Sequence, residues 1–534
     1  MTKPTYSFTT PIYYVNAAPH LGTAYTTVAA DTVARYQRMN GCDVAFVTGM
    51  DEHGQKVAET AEKHGMSPQE WCDSMVPAFK ETWDLLNITY TDFVRTTEPR
   101  QTKTVQKFWD IIRQNGYLYK HAYEGWYCVH EETYYAESDL EKNEAGEFVC
   151  PDCKRPVRWA TGEENWFFKL SVFQQPLLDF YESHPDFIRP ESRKNEIVSF
   201  VKRGLQDLSI SRSTFDWGIP VTFDEGHVYY VWADALLAYL TGIGYGAEEC
   251  EGIDAAQAAR KGEFESRWPM AYHFVGKDIT RFHCVIWPAM LMAAGLPITH
   301  TVFGHGFLLT KGEKMSKSKG NGLRPQDLVK IFGVDAYRYY FMTDVRFGSD
   351  GDISMERMVQ VYNADLANTW GNLVSRVPGM NDKYFAGLVP EADVHAPNPL
   401  KELAEGLYEE FDACMAQVDF TGAAAAVQRL AHRANAYIDE TEPFRMAKDP
   451  EKRAELAQVM YNLLECIRIL ALFFAPFMPN TSAEVFRRLG LGAVTDVDDI
   501  KAAAVWGQLP AGNRVLKGDP LFPRLDEKEI TISE

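Results

Sequence analysis

The sequence predicts an α/β protein whose parallel sheet is split by an insertion and followed by an all-helical bundle. Three observations predict it. Residues 6–15 are aromatic and β-branched, 20–39 carry apolar side chains at helical spacing, and 43–48 form a short apolar run between Gly41 and Gly49. Strand, glycine turn, helix and strand in that order make a parallel βαβ unit. From residue 117 to about 225 Tyr and Trp become dense and three cysteines appear, which marks an inserted segment before the α/β pattern resumes. Beyond about residue 354 the apolar positions recur at spacings of three and four, as in packed helices.

The elements follow in order. The first strand is rich in the residue types that suit a pleated, half-buried surface. In 20–39, Val28, Ala29, Thr32, Val33 and Tyr36 share one helix face. The run 43–48 reads as a buried strand. After the insertion, 273–276 reads as a strand, 279–294 as a helix and 299–303 as a strand. In the last region Leu400, Leu403, Leu407, Phe411, Cys414 and Val418 make one stripe, and Leu456, Val459, Met460, Leu463, Leu464, Ile467, Leu470 and Ala471 another. A loop carrying Pro378, Pro390, Pro397 and Pro399 separates the first helix of this region from the next.

Composition narrows the function classes. The chain has 534 residues, enough for three or four domains at about 150 residues each. Apolar residues make up 46% and charged residues 24%, which excludes a disordered chain, a collagen-like fibre or a small disulfide scaffold. The net charge of −20 argues against nucleic-acid binding through bulk charge but leaves local basic patches open. Nine cysteines, an odd and sparse set, fit a reducing compartment. The first residues lack the apolar core of a signal peptide, and the most apolar stretch, 469–478, is about half the length a bilayer needs. The reading is a cytoplasmic protein without a membrane partner.

Two segments carry chemistry. Pro19-His20-Leu21-Gly22-Thr23 lies between the first strand and its helix. Unpaired N–H groups and the positive end of the helix suit a phosphate there. His20 can donate to a phosphate oxygen, and Gly22 lets an adenine or ribose come close to the backbone. One His and one Gly before a helix are more often an ordinary turn. The second segment, Lys311 to Asn321, holds Lys311, Lys314, Lys317 and Lys319 with Ser316 and Ser318. Most lysine runs are solvated loops, but flexible ammonium groups also suit charge developing on a leaving pyrophosphate.

Together the two segments resemble the signatures of class I aminoacyl-tRNA synthetases, His-x-Gly-His and Lys-Met-Ser-Lys-Ser. The second is matched at all five positions, Lys314 to Ser318; in the first, Thr23 stands where many members have a second His. Further blocks resemble the methionyl-tRNA synthetases in order and spacing: Pro11-Ile12-Tyr13-Tyr14-Val15-Asn16, Gly49-Met50-Asp51-Glu52-His53-Gly54, Ser209-Ile210-Ser211-Arg212, Tyr230-Val231-Trp232-Ala233-Asp234-Ala235, Phe274-Val275-Gly276-Lys277-Asp278-Ile279 and Phe282-His283-Cys284-Val285-Ile286-Trp287-Pro288. The resemblance covers about residues 6–524.

The resemblance implies a Rossmann-like catalytic domain (1–116 and 226–330), a connective insertion with a cysteine knuckle (117–225), a stem-contact linker (331–355) and a helical anticodon-binding bundle (356–534), with no further domain after Arg524. It implies activation of methionine by ATP, with magnesium, to methionyl-AMP. The methionyl group then passes to the 2′-hydroxyl at the 3′ end of initiator and elongator methionine tRNAs, and the enzyme is a monomer. It assigns catalysis to His20, Lys314, Lys317 and Arg212, and ATP contacts to His20, Gly22, Thr23, Lys277, Asp278, Lys314, Ser316 and Lys317. Asp51 would meet the α-ammonium group. Ile12, Tyr14, Trp232, Ala235, Leu236, Tyr239, Phe282, His283 and Trp287 would form an aromatic pocket suited to a thioether. Periodicity alone would place most of these residues in a core.

Asn372, Arg376 and Phe444 would read the anticodon; Phe444 stands where members often have Trp. Cys128 with Cys150-Pro151-Asp152-Cys153 offers three thiols for zinc, the expected fourth position being Glu131 with His130 beside it. Zinc and a metal-free knuckle stay equally open at this point. Two other functions fit less well. A synthetase for leucine, isoleucine, valine or cysteine conflicts with the short insertion and the cysteine arrangement. A catalytically dead RNA-binding relative conflicts with the intact His20, Asp51, Lys314 and Lys317.

Overall fold

The computed structural model describes residues 3–128, 133–135, 137–143, 145–151, 153–246, 262–310, 312–314 and 323–526. Its centre is a six-stranded, all-parallel sheet. In spatial order the strands are Asp92–Arg95, Asp43–Asp51, Thr5–Tyr14, Tyr272–Gly276, Thr301–His305 and Ile188–Arg189. The two middle strands come from opposite sides of the insertion, and the chain winds outward from them in both directions. That is a topological switch point, and in such sheets ligands bind outside the carboxyl ends of the strands. Phe8, Phe46 and Phe274, one from each of three adjacent strands, pack with ring centroids 5.0 and 5.9 Å apart under the helix Leu21–Met39.

The insertion is less separate than the sequence suggests. Its antiparallel sheet, built on Leu118–Cys128 and Arg158–Phe168, is its own. The strand Ile188–Arg189 instead completes the edge of the catalytic sheet, and the Tyr181 hydroxyl donates to the carbonyl of Cys284 at 2.6 Å. Phe187 and Ile188 are buried there, so their apolar area pulls this part of the segment onto the sheet.

Other expectations are adjusted. The helix read over 279–294 is three pieces: a 3₁₀ turn Lys277–Ile279, a π-helix Phe282–Ile286 and an α-helix Trp287–Ala294. The strand read at 299–303 is Thr301–His305. Pro378 is not in a loop; it lies inside the helix Asn372–Phe385, whereas Pro399 opens the next helix at a position that needs no N–H. The stripe from Leu400 to Val418 breaks at Gly406 into the helices Pro399–Glu405 and Leu407–Ala416. Leu403 therefore rotates outward and is 42% exposed.

A small sheet carries the lysine loop. The strand Leu308–Thr310 pairs antiparallel with Glu313–Lys314 and parallel with Gly351–Asp352. The bundle is centred on Arg453–Phe474. That helix is long and apolar enough to cross a membrane, but its side chains are buried on every face by its neighbours from Val459 to Phe474.

Candidate active site

At the carboxyl end of the sheet, His20 caps the helix Leu21–Met39. Its Nδ1 accepts from the backbone N–H of Gly22 at 3.0 Å and of Thr23 at 3.3 Å. An accepting Nδ1 leaves the proton of the neutral ring on Nε2, and His20 as a whole is exposed. The Thr23 hydroxyl accepts from the His20 N–H at 3.0 Å and donates to the His20 carbonyl at 2.7 Å. Here it closes a capping box, so the hydroxyl expected to meet phosphate is used by the helix end. Gly22 has a local reason as well: a Cβ there would lie 3.0 Å from the His20 ring. His305 supports the same helix end, its Nε2 being 2.6 Å from Thr26 Oγ1 while Nδ1 donates to the Gly306 carbonyl at 2.8 Å.

The residues read as a methionine pocket are gathered beside this cap. Asp51 ends its strand, buried, in register with Tyr14 of the neighbouring strand. Ile12, Ala235, Leu236, Tyr239 and Trp287 belong to one buried cluster, with Tyr14 and Trp232 packed against it. Trp232 stacks on Phe282, ring centroids 3.8 Å apart, and meets the edge of His283. His283 donates from Nδ1 to the Ile279 carbonyl at 3.0 Å, so its Nε2 accepts from the Tyr239 hydroxyl at 2.6 Å. Burial pushes the His283 pKa down to about 4, against a smaller upward pull from the Ile279 carbonyl, and the ring is neutral. Burial above all, with smaller contributions from the neighbouring Tyr13 and the Asp51 carboxylate, raises the Tyr239 pKa, and the residue stays a phenol.

Behind them His273 accepts at Nε2 from Trp287 Nε1 at 3.0 Å, is joined to Thr299 at 2.8 Å, and bonds Thr9 through Nδ1 at 2.7 Å. Burial and the neighbouring His283 lower its pKa as well.

Two of the residues assigned to phosphate chemistry have protein partners here. Lys277 Nζ sits 2.7 Å from both carboxylate oxygens of Asp350, which also accepts the N–H of Phe307. Arg212 is buried, its Nη1 donating to the Ser211 carbonyl at 2.8 Å and to Ser209 Oγ at 3.1 Å, its guanidinium over the ring of Tyr230. Asp278 is exposed at the mouth of the site, close against Gly276. Lys314 lies on the short strand leading into the loop, while its side chain and Ser316 and Lys317 lie outside the described residues.

The remaining sites are apart. Cys128, Cys150 and Cys153 place their sulfurs within 4.8 Å of one another, with 3.5 Å between Cys128 and Cys153, on the insertion; Glu131 and His130 lie outside the described residues. In the bundle, Asn372 and Arg376 share one face. Asn372 donates to Asn435 at 3.3 Å, and Arg376 pairs with Asp439 at 3.7 Å. Asn372 lines an open groove of about 440 Å³ with Asn368, Gly371, Ser375 and Phe522. Phe444 is 42% exposed and not part of the core, as a stacking residue requires.

His53, Gln101, Asp234, His273, His305 and Asp350 hold residues of the candidate site in place and are not singled out by the sequence. His53 and Asp234 stood inside the quoted blocks as polar residues in apolar runs, which was the available signal. The others carry no local mark.

A switch-point crevice beside a histidine-capped helix, followed by a helical bundle, agrees with a class I synthetase, the class the family comparison gives. Residues 6–378 match the family model described as tRNA synthetases class I (M), and 389–532 match the anticodon binding domain of methionyl tRNA ligase. The chain is 48% identical to the methionine–tRNA ligase of Streptomyces coelicolor, over 98% of this chain and 97% of that one. It is 46% identical to that of Caldanaerobacter subterraneus subsp. tengcongensis, over 100% and 81%. The Mycobacterium tuberculosis methionyl-tRNA synthetase in complex with methionyl-adenylate superposes with a TM-score of 0.90 at 38% identity, covering 98% of this chain and 100% of that chain. The chain belongs to the methionyl-tRNA synthetase family of class I.

Proposed function

We propose a division of labour among this chain's residues for the family's reaction. That reaction is methionine–tRNA ligation: L-methionine and ATP give methionyl-AMP and diphosphate, and the methionyl group passes to the 3′ end of its tRNA. Asp51 takes the methionine ammonium, and the pocket of Trp232, Tyr239, Phe282, His283 and Trp287 takes the thioether. Because His283 is neutral and already accepts from Tyr239, the pocket offers the side chain no charge.

A carboxylate oxygen of methionine attacks the α-phosphorus of ATP, and the bond to diphosphate breaks. His20 Nε2–H and the first turn of its helix meet phosphate oxygens; Lys314 and Lys317 neutralise the leaving diphosphate. Magnesium, when bound with ATP, would offset phosphate charge. Lys277 exchanges Asp350 for a phosphate, and Arg212 acts from its buried position through Tyr230, which precedes the pocket helix. A ribose hydroxyl of the terminal adenosine then attacks the methionyl carbonyl, releasing AMP. The observation that carries this reading is the convergence of Asp51 and the aromatic set beside the His20 cap.

Asn372, Arg376 and Phe444 read the anticodon of initiator and elongator methionine tRNAs, a reading supported by the common helix face of Asn372 and Arg376, by Asn372 on the groove, and by the exposed ring of Phe444. The knuckle fits zinc: zinc–sulfur bonds of about 2.3 Å in a tetrahedron put sulfurs about 3.8 Å apart, near the observed spacing. Zinc there would order the insertion. The free thiols among the described residues suit the cytoplasm, where the chain works as a monomer. The domain division follows that of the sequence, except that the strand Ile188–Arg189 of the insertion joins the catalytic sheet and the bundle is counted from the helix Met355–Val361.

One experiment with two readouts tests both halves. Lys317→Ala should slow methionine-dependent ATP–diphosphate exchange by about a hundredfold or more, with less effect on the methionine KM. Arg376→Ala should leave exchange intact and weaken tRNA charging by about 1–3 kcal/mol per lost base contact. Exchange within about threefold of the parent for Lys317→Ala would remove the lysine from the transition state.

A further inference from the structure

We propose that His53 and Asp234 form a buried strut that sets the separation between the ammonium-binding carboxylate and the aromatic wall of the methionine pocket. The inference rests on the pocket reading above and adds two positioning residues to it. Asp51 ends one strand of the catalytic sheet, whereas Trp232 stands on the helix Val231–Ala235, far along the chain on the other side of the insertion. That helix has five residues, too few to hold its own orientation, so tertiary bonds must aim Trp232.

The bond that does so comes from two residues beyond Asp51. His53 Nδ1 lies 2.6 Å from Asp234 Oδ2, the two side chains being 8% and 1% exposed. A carboxylate only accepts, so His53 donates from Nδ1. Asp234 is used on its other side too. Gln101 Nε2 donates to Asp234 Oδ1 at 2.7 Å and to the Asp234 carbonyl at 2.9 Å, and Gln101 Oε1 accepts from Thr241 at 2.6 Å.

The His53 end is equally fixed. Glu52 takes Arg95 Nε on its carboxylate at 2.7 Å, Thr96 Oγ1 on its N–H at 2.9 Å, and Trp217 Nε1 on its carbonyl at 2.6 Å. The Gly54 N–H donates to the Trp217 carbonyl. Trp109 Nε1 adds a second tie on the helix, to the Ala233 carbonyl at 2.8 Å. Packing alone could have been met by apolar side chains of the same volume. A carboxylate with both oxygens bonded, reaching from the segment after Asp51 to the helix carrying Trp232, instead specifies a distance and an angle. These decide how long a side chain fits between the ammonium site and the stacked Trp232–Phe282 pair.

The test is methionine-dependent ATP–diphosphate exchange on the full chain, with methionine and norleucine as substrates. His53→Ala should raise the methionine KM by about tenfold and lower the methionine-to-norleucine ratio of kcat/KM severalfold, with the ATP KM within about twofold. His53→Asn, which keeps an N–H donor near the Nδ1 position, should recover most of both. Equal impairment of the Ala and Asn variants, or parallel loss of methionine and ATP affinity, would show a packing role only and overturn the strut. So would an unchanged selectivity ratio. If His53→Ala does not fold, Asp234→Asn, which keeps the shape and removes one acceptor, should raise the methionine KM alone. Trp232→Ala in the same assay separates the two readings. A raised methionine KM there with no effect of His53→Ala sinks the strut alone, whereas an unchanged KM removes the pocket itself.

Discussion

His20 and His283 show how hydrogen bonds select what a ring can do. His20 spends Nδ1 on its own helix end, so a contact with a ligand would have to come from Nε2. His283 spends Nδ1 on Ile279 and accepts from Tyr239, and burial lowers its pKa to about 4. In the unfolded chain the same ring protonates near 6.5. Its contribution to stability is therefore whole above pH 6.5 and declines as pH falls from 6.5 towards 4, because the unfolded state takes up the proton first. The methionine KM should accordingly show no His283 titration between about pH 8 and 5.5. The check is a pH profile of KM; a break near 6.5 that disappears in His283→Asn would mean that the ring ionises at ordinary pH.

Local elements explain where pattern reading slipped. The period-3.6 pattern over 279–294 continues through a π-turn, and such turns are frequent at functional sites. Here it carries Phe282 and His283, both in the proposed pocket. Pro378 reads as a helix breaker, yet its helix Asn372–Phe385 runs on directly from a π-helical stretch and is held by buried Leu373, Val374 and Val377. Packing of that face outweighs a local preference of about 3 kcal/mol. The knuckle is the element whose state a measurement decides most simply. Purified chain should carry about one zinc, and Cys150→Ser should lose it and loosen the Leu118–Cys128 sheet in hydrogen exchange. Metal-free chain with unchanged exchange protection would leave the three sulfurs as a packing cluster.

The whole molecule is tied together at Arg338, which is fully buried. Its guanidinium pairs with Asp31 of the His20-capped helix at 2.7 Å and donates to the carbonyls of Leu86 at 3.0 Å, Pro476 at 3.1 Å and Phe477 at 3.1 Å. One side chain thus joins the catalytic helix, the loop before its outer strand and the end of the central bundle helix. Burial pushes the Asp31 carboxyl up, but Arg35 and Arg338, with Thr89, more than offset it and hold it at about 2. The stabilisation from Asp31 is therefore present above pH 3.8 and lost as pH falls towards 2. Arg338→Ala would leave a buried carboxylate and three carbonyls short of a donor. It should cost about 3–5 kcal/mol in urea unfolding, far more than removing an exposed pair such as Arg445–Glu442. A loss below about 1 kcal/mol would mean that the bundle and sheet do not depend on this contact.

The linear chain was enough to specify the βαβ start, the split of the catalytic half, the helical end and the two signature segments, because each is written in residues close together. The proposed aromatic pocket and anticodon face were legible only through motif blocks, since periodicity cannot separate a pocket wall from a core. Folding alone decided what each side chain does. It turned Thr23 into a cap, paired Lys277 with Asp350, buried Arg212 against Tyr230, and put the strand Ile188–Arg189 of the insertion on the catalytic sheet. It also joined His53 to Asp234 across 181 positions and Arg338 to Asp31 across the fold. Periodicity and capping act over a turn or two of chain. The partners of a buried charge are instead set by which distant elements pack against it, because a buried polar group must be bonded wherever the chain places it.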